Sequence, residues 1–206
     1  WFDAMGNTCK IKSIKLTADK LSDKLKAEFK SAAPIEEIFV GSGVRPKPEY
    51  GKACRYRIPA LAVSKKGTIL AFAEARRVGG ADVGDIDAVV RRSEDGGKTW
   101  GPEIVVWDDG ANSINNPCPI VDPKNGRIWC CMGRYNPYPN ANQHVVFSDD
   151  DGKTWSMPRD ITQAIQATIE PKKKCWIPGP GAGLVMRHEK YAGRLVIPMG
   201  FAPLVV

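Results

Sequence analysis

Two segments of this chain set a carboxylate, two hydroxyls and a glycine at one repeated spacing. They are Ser93-Glu94-Asp95-Gly96-Gly97-Lys98-Thr99-Trp100 and Ser148-Asp149-Asp150-Asp151-Gly152-Lys153-Thr154-Trp155, which start 55 residues apart. Asp95 and Asp150 have the look of calcium ligands or catalytic acids. The rest of the octet argues for a turn between strands. The Gly supplies backbone freedom, and the Asp and Ser can bond local backbone groups. The Thr leads into the next strand, and the Trp packs beneath it. A structural role is therefore expected for both aspartates.

Other residues have chemistry to offer. Arg57, in Tyr56-Arg57-Ile58-Pro59-Ala60-Leu61, carries a forked, permanently charged donor suited to a carboxylate; taken alone, it reads rather as a surface Arg on a strand. Arg76-Arg77 ends a strand-like run, and a Gly-rich loop from Val78 to Gly84 follows. Asp82, Asp85 and Asp87 lie along that loop and the run after it, which ends in Arg91-Arg92. Asn115-Asn116-Pro117-Cys118-Pro119 forms another polar cluster, where an Asn before Pro could simply serve a turn. His144 and His188 are isolated and suit surface or packing roles. Gly179 to Gly183 is Gly-rich but lacks the Gly-Lys-Ser/Thr ending of a phosphate loop. Six cysteines, at 9, 54, 118, 130, 131 and 175, include no Cys-x-x-Cys pair, which argues against zinc. Adjacent Cys130 and Cys131 sit in an apolar run and read as buried thiols.

Short strands between Gly, Pro and Asn turns must position these groups. Tyr56 to Val63, Thr68 to Ala73, Ile86 to Arg92, Glu103 to Trp107, Pro119 to Asp122, Arg127 to Met132, Gln143 to Ser148 and Gly193 to Met199 all read as strands. An all-β chain with a repeat near 55 residues predicts a propeller. Residues 1–35 differ. Lys10 to Thr17 alternates like a strand, and Ala18 to Ala32 sets Leu21, Leu25 and Phe29 on one helical face. The expected organisation is an α/β appendage over 1–35 and a propeller portion over 36–206.

The twin octets resemble the Asp-box of sialidase-type β-propellers. The resemblance extends over residues 36–206 and the first half of that family's domain. It implies about three of six blades, with the Asp-boxes on the outer rim. It also implies roles. Tyr56-Arg57-Ile58-Pro59 is similar to the Arg-Ile-Pro motif whose Arg grips the substrate carboxylate. The family's acid/base Asp commonly lies nine residues before the Arg-Arg pair, which maps to Asp82; Asp85 then orders the loop and Asp87 belongs to the strand. Arg76, preferred over Arg77, and Asn116 map to residues near the sugar's O4. Tyr135 or Tyr138 could wall the N-acyl pocket, and the Gly-Pro-Gly stretch opens a later blade.

The implied activity is that of a retaining exo-α-sialidase acting on sialylated glycoproteins, glycolipids or oligosaccharides, with no metal or cofactor. Its Tyr nucleophile, the Glu that activates it and two further carboxylate Arg residues belong to the family's second half. No motif for them is found here; Glu170, Glu189, Tyr191, Arg187 and Arg194 lack the context. The alternatives are a non-catalytic sialoglycan-binding propeller and a trans-sialidase.

Bulk properties fit this reading. The chain has 206 residues, 43% of them hydrophobic, and a net charge of +7. That charge suits an anionic partner. Part of it comes from Lys10 to Lys30, expected to be a solvated helix face. Lys172-Lys173-Lys174 reads as a loop, and no nucleic-acid motif is present. No run approaches the roughly 18 apolar residues of a membrane helix. No secretory signal is visible at Trp1-Phe2-Asp3-Ala4-Met5. Location stays open, with a secreted, lysosomal or periplasmic setting slightly favoured.

Overall fold

A computed structural model describes residues 37–41, 55–135, 141–169 and 173–203. The strand and helix expected over residues 10–32 lie outside them. Everything below belongs to the compact unit Ile38–Val206.

The unit is built from four-stranded antiparallel repeats. The first comprises β1 (Arg55–Val63), β2 (Ile69–Arg76), β3 (Ile86–Ser93) and β4 (Ile104–Trp107). The second comprises β5 (Ser113–Val121), β6 (Ile128–Tyr135), β7 (Ala141–Ser148) and β8 (Arg159–Asp160). Strands within each repeat pair in chain order, and one parallel bridge, Ile86 with Ser113, joins the two. A short helix, α1 (Thr162–Gln166), leads to a third repeat. There β9 (Lys173–Pro178) pairs with β12 (Met199–Pro203), and β10 (Leu184–Val185) with β11 (Leu195–Val196). The described sheets do not close.

The expected strands are present with shifted ends. β5 starts at Ser113, six residues earlier than expected, because Asn115-Asn116-Pro117 lies within the strand as a bulge. The run from Gly193 to Met199 resolves into two separate strands. β8 and β9 carried no clear signal.

The repeat spacing shows where the blades differ. β3 and β7 are offset by 55 residues, whereas β2 and β6 are offset by 59. The four extra residues lie in the β2–β3 loop, nine long at 77–85, against five at 136–140. That longer loop carries Asp82.

Alternation along β2 sorts its side chains. Leu70 and Phe72 enter the main core with Ala88, Val90, Ile114, Ile128, Met132 and Val146. Ala73 and Ala75 face the other way, onto Val89, Phe39 and Tyr56. Glu74 and Arg76 therefore continue the Leu70–Phe72 face. Trp155 packs against the main core, edge-on to Phe72 at 5.7 Å.

Both Asp-boxes fold alike. In the first, Asp95 Oδ1 accepts from Ser93 Oγ and from the backbone N–H of Lys98 and Thr99, and Thr99 Oγ1 donates to Asp95 Oδ2 at 2.6 Å. Asp150 repeats the set with Ser148, Lys153 and Thr154. Hydrogen bonds from the Thr99 side chain and backbone hold the Asp95 carboxyl well below the ordinary value.

The second box also docks the two blades together. Asp151, at a positive φ of 68°, accepts from Thr68 Oγ1 at 2.6 Å and pairs with Arg92 at 2.9 Å. Gly152 sits against Leu70. A Cβ added there would lie 2.3 Å from Leu70 Cδ2, at a φ of +80° that L-residues avoid. Gly152→Ala should therefore destabilise the fold by about 1–3 kcal/mol. Equilibrium denaturation would show this; an unchanged midpoint would contradict the docking.

Candidate active site

The inner strands carry one repeated irregularity. Ile58 has φ 53°, Asn116 has φ 54° and Gly179 has φ 67°, and each immediately precedes a proline. In β1 and β5 the pairing register slips there, between Arg57 and Ala60 and between Asn115 and Cys118. A positive φ at Ile, with its branched Cβ, costs on the order of 1–3 kcal/mol, and such strain concentrates at functional sites. The three positions meet around one cleft of about 450 Å³.

Arg57, Arg76, Asp82 and Asn116, the four expected site residues, all line this cleft. Asp95 and Asp150 do not. Tyr135 and Gly179 also belong to the wall. Tyr138 lies outside the described residues.

Asp82 projects into the opening with its side chain 75% exposed. Its Oδ1 accepts from Arg76 Nη2 at 2.7 Å and from Arg57 Nη1 at 2.9 Å. The Arg76 hydrogen bond, more than slight burial opposes it, holds the Asp82 carboxyl below its usual range, and the charges of Arg76 and Arg57 add to this. Asp82 is thus held as a carboxylate.

Arg76 is 2% exposed and spends every donor. Its Nε and Nη2 donate to Glu74 Oε2 at 3.1 and 2.7 Å, its Nη1 to the carbonyls of Gly80 and Ala81, and its Nη2 also forms an ion pair with Asp82. A guanidinium has five N–H groups, and four hydrogen bonds and this ion pair engage them.

Glu74, 1% exposed, is the residue that sequence reasoning missed. Its other oxygen, Oε1, accepts from Asn115 Nδ2 at 3.2 Å and from the Asn116 backbone N–H at 3.0 Å. One signal was available. In Phe72-Ala73-Glu74-Ala75-Arg76 strict alternation puts a carboxylate and a guanidinium on the face that carries Phe72.

The Asp82 loop, Gly-rich in sequence, is tied down. Beyond the Arg76 bonds, Asn115 Nδ2 donates to the Asp82 carbonyl at 3.3 Å, and Ser113 Oγ exchanges hydrogen bonds with Gly84 N–H and carbonyl, each 2.8 Å. At its base Arg77 pairs with Asp87 at 2.6 Å and with Glu103 at 3.2 Å, and Tyr56 donates to Glu103. Burial pushes the Asp87 carboxyl up to about 6, against the pull of the Arg77 hydrogen bond and charge.

Asn116 donates through Nδ2 to the Pro178 carbonyl at 2.9 Å, which ties the second repeat to the third. Cys130 and Cys131 are buried free thiols, as expected, and so is Cys118. Burial pushes Cys118 up to about 11 and Cys131 up to about 12, so these sulfurs stay protonated. His144 stacks on Trp107, and burial lowers its proton affinity; it lies within the fold and away from the cleft.

Repeated four-stranded blades, Asp-boxes between their third and fourth strands, and an Arg-lined cleft where inner strands meet define an Asp-box propeller. The family model for the BNR repeat-like domain matches residues 67–203. The chain belongs to that family, in its sialidase-type form. A sialidase of Bacteroides fragilis is 30% identical over 190 residues, covering 80% of this chain and 34% of that protein. Sialidase-2 of Mus musculus is 32% identical over 162 residues, covering 69% of this chain and 42% of that protein. Among solved structures, the Hadza microbial sialidase Hz136 superposes with a TM-score of 0.64 at 29% identity, over 73% of this chain and 33% of that one. The chain thus spans a third to two-fifths of the length of these relatives.

Two expected outcomes follow from the geometry. Glu74→Ala strands the buried Arg76 guanidinium and should cost about 3–5 kcal/mol. A loss below about 1 kcal/mol in denaturant titration would contradict the hub role of Glu74. For Asp87 the folded carboxyl binds its proton more tightly than the unfolded chain does. Its stabilisation is complete below the unfolded value of 3.8 and is lost as pH rises through about 6. Melting temperatures of the parent should therefore fall relative to Asp87→Asn over that range. Parallel curves would refute it.

Proposed function

We propose that this domain is the acid/base-bearing portion of a retaining exo-α-sialidase. The observation that carries the reading is the convergence of Arg57, Arg76, Asp82 and Asn116 on one cleft. They come from β1, β2, the β2–β3 loop and β5, and span 60 positions of sequence between Arg57 and Asn116.

In this reading Arg57 holds the carboxylate on the anomeric carbon of a terminal sialic acid. Its planar fork matches that group, and half of its side chain is open to the cleft. Asp82 protonates the departing glycosidic oxygen and later deprotonates the attacking water. Its exposure lets it reach the leaving group, while the tethered loop fixes where it stands.

Arg76 and Asn116 seat the sugar. With all five donors of Arg76 engaged, it meets a sugar hydroxyl directly only after Asp82 turns away; until then it acts by holding the loop. The Tyr nucleophile and its Glu partner are expected from the remainder of the protein. A neutral Tyr activated by a neighbouring Glu base suits this chemistry because a carboxylate nucleophile would be repelled by the substrate's own carboxylate. Sialylated glycoproteins, glycolipids or oligosaccharides are the proposed substrates.

The test compares the full protein with its Asp82→Asn variant on two substrates. On a natural sialoside the variant should lose about 10²–10⁴-fold in kcat/KM. On an aryl sialoside, whose leaving group needs little protonation, the loss should be much smaller. Equal losses on both would remove the acid role of Asp82. No release by the folded parent, with sialoside binding retained, would instead identify a glycan-binding propeller.

A further inference from the structure

Arg57 holds a carboxylate from the chain itself, that of Asp82. One oxygen, Oδ1, takes both Arg57 Nη1 at 2.9 Å and Arg76 Nη2 at 2.7 Å. The group meant to grip the substrate's carboxylate is thus neutralised by the group meant to protonate its leaving oxygen.

The pair is built to separate. Arg57 is 49% exposed and Asp82 75%, so no packing locks them together. The Asp82 backbone is pinned through its own carbonyl and those of Gly80 and Ala81. Release therefore requires only a turn about the Asp82 side-chain bonds, with the loop in place. Arg76 stays behind, fixed by Glu74.

We propose that Asp82 is the resident counter-ion of Arg57, and that an incoming carboxylate, by taking its place, makes Asp82 pick up the proton it then donates. The inference rests on the acid/base reading above and adds specificity to it. Two carboxylates at one guanidinium repel, and such a site resolves the conflict by keeping a proton on one of them. A bound ligand carboxylate, held in place by Arg57, leaves Asp82 as the group that protonates. A neutral glycoside cannot take Arg57 from Asp82 and leaves Asp82 as a carboxylate, without the proton it must donate. Asp82 and Arg57 together then select for an anionic sugar by chemistry as well as by affinity.

The proton balance closes. Solvent supplies one proton to Asp82 when the ligand binds. It leaves on the glycosidic oxygen as that C–O bond breaks, and Asp82 returns to carboxylate, ready to accept a proton from water.

The surrounding charges set the size of the effect. From β1, Arg57 faces Asp82, and Arg55 lies against Gly80 in the same loop, where an added Cβ would meet its Cδ at 3.0 Å. From β2 come Arg76 and, behind it, Glu74. Asp85 lies on the loop itself, and β5 offers the uncharged Asn115. When a ligand takes Arg57 and Asp82 turns out, the carboxyl leaves the two cations that hold its proton affinity down, which is why that affinity should rise on binding.

The test is calorimetric titration of the full protein with a non-hydrolysable 2,3-unsaturated sialic acid and, separately, its methyl ester. It is run at mildly acidic pH in buffers of different ionisation enthalpy. The parent should bind the acid with net proton uptake, and more weakly as pH rises. The ester should bind at least tenfold more weakly. Asp82→Asn, at an exposed position that the fold tolerates, should bind the acid several-fold more tightly, because its competitor is gone, and without the parent's proton uptake. Binding by the parent with no uptake, or equal uptake in the variant, would overturn the inference and leave the sialidase reading standing. Failure of the acid to bind either folded protein would overturn both.

Discussion

The Glu74–Arg76 pair is the interaction on which the site depends. Both side chains are withdrawn from water, and a buried charge is tolerable only when it is paired and fully hydrogen-bonded. That demand propagates outward. Glu74 must find four donors, and it draws Asn115 and the Asn116 backbone of β5 toward β2. Arg76 must find acceptors for five N–H groups, and it takes the carbonyls of Gly80 and Ala81 along with Asp82. One ion pair thereby joins two blades and fixes the loop that carries the proposed acid. Its contribution is to geometry rather than to net stability, since desolvation offsets much of its Coulombic gain.

The blades share a template, and function resides in departures from it. β1 and β5 each bulge at a residue of positive φ before a proline, and Gly179, just past β9, has the same φ before Pro180. What each blade places there differs: Arg57 in the first, Asn115 and Asn116 in the second, and the Gly179 backbone in the third. The β2–β3 loop exceeds its counterpart by four residues, and those residues let Asp82 reach over the cleft. The Asp-boxes diverge in the same way. Where the first has Gly96 at positive φ, the second has Asp151, and its carboxylate turns a local turn into a joint with Thr68 and Arg92 of the preceding blade. The strain of a non-glycine residue there is offset by two hydrogen bonds and an ion pair.

Much of this was legible in the chain. The twin octets and the strand alternation specified a β-propeller repeat, because a turn that bonds its own backbone needs fixed residues at fixed offsets. The four proposed site residues were picked out by their motifs, and all four reach one cleft. The buried state of Cys130 and Cys131 followed from the apolar run that contains them. Less visible was the upstream reach of β5, since Asn116-Pro117 has the local chemistry of a turn and only pairing with β6 holds it in a strand.

What the sequence determined by itself was local: strands, turns, the Asp-box hydrogen bonds and the kinds of group on offer. Its alternation even placed Glu74 beside Arg76. Tertiary structure alone decided which groups are paired and which are open. Nothing in the order of residues distinguishes Arg57, half open to the cleft, from Arg76, with every donor engaged, or shows that Asp82 lies across both. Those differences depend on distances between strands far apart in sequence and on how much water each charge retains, and both are set only when the blades pack.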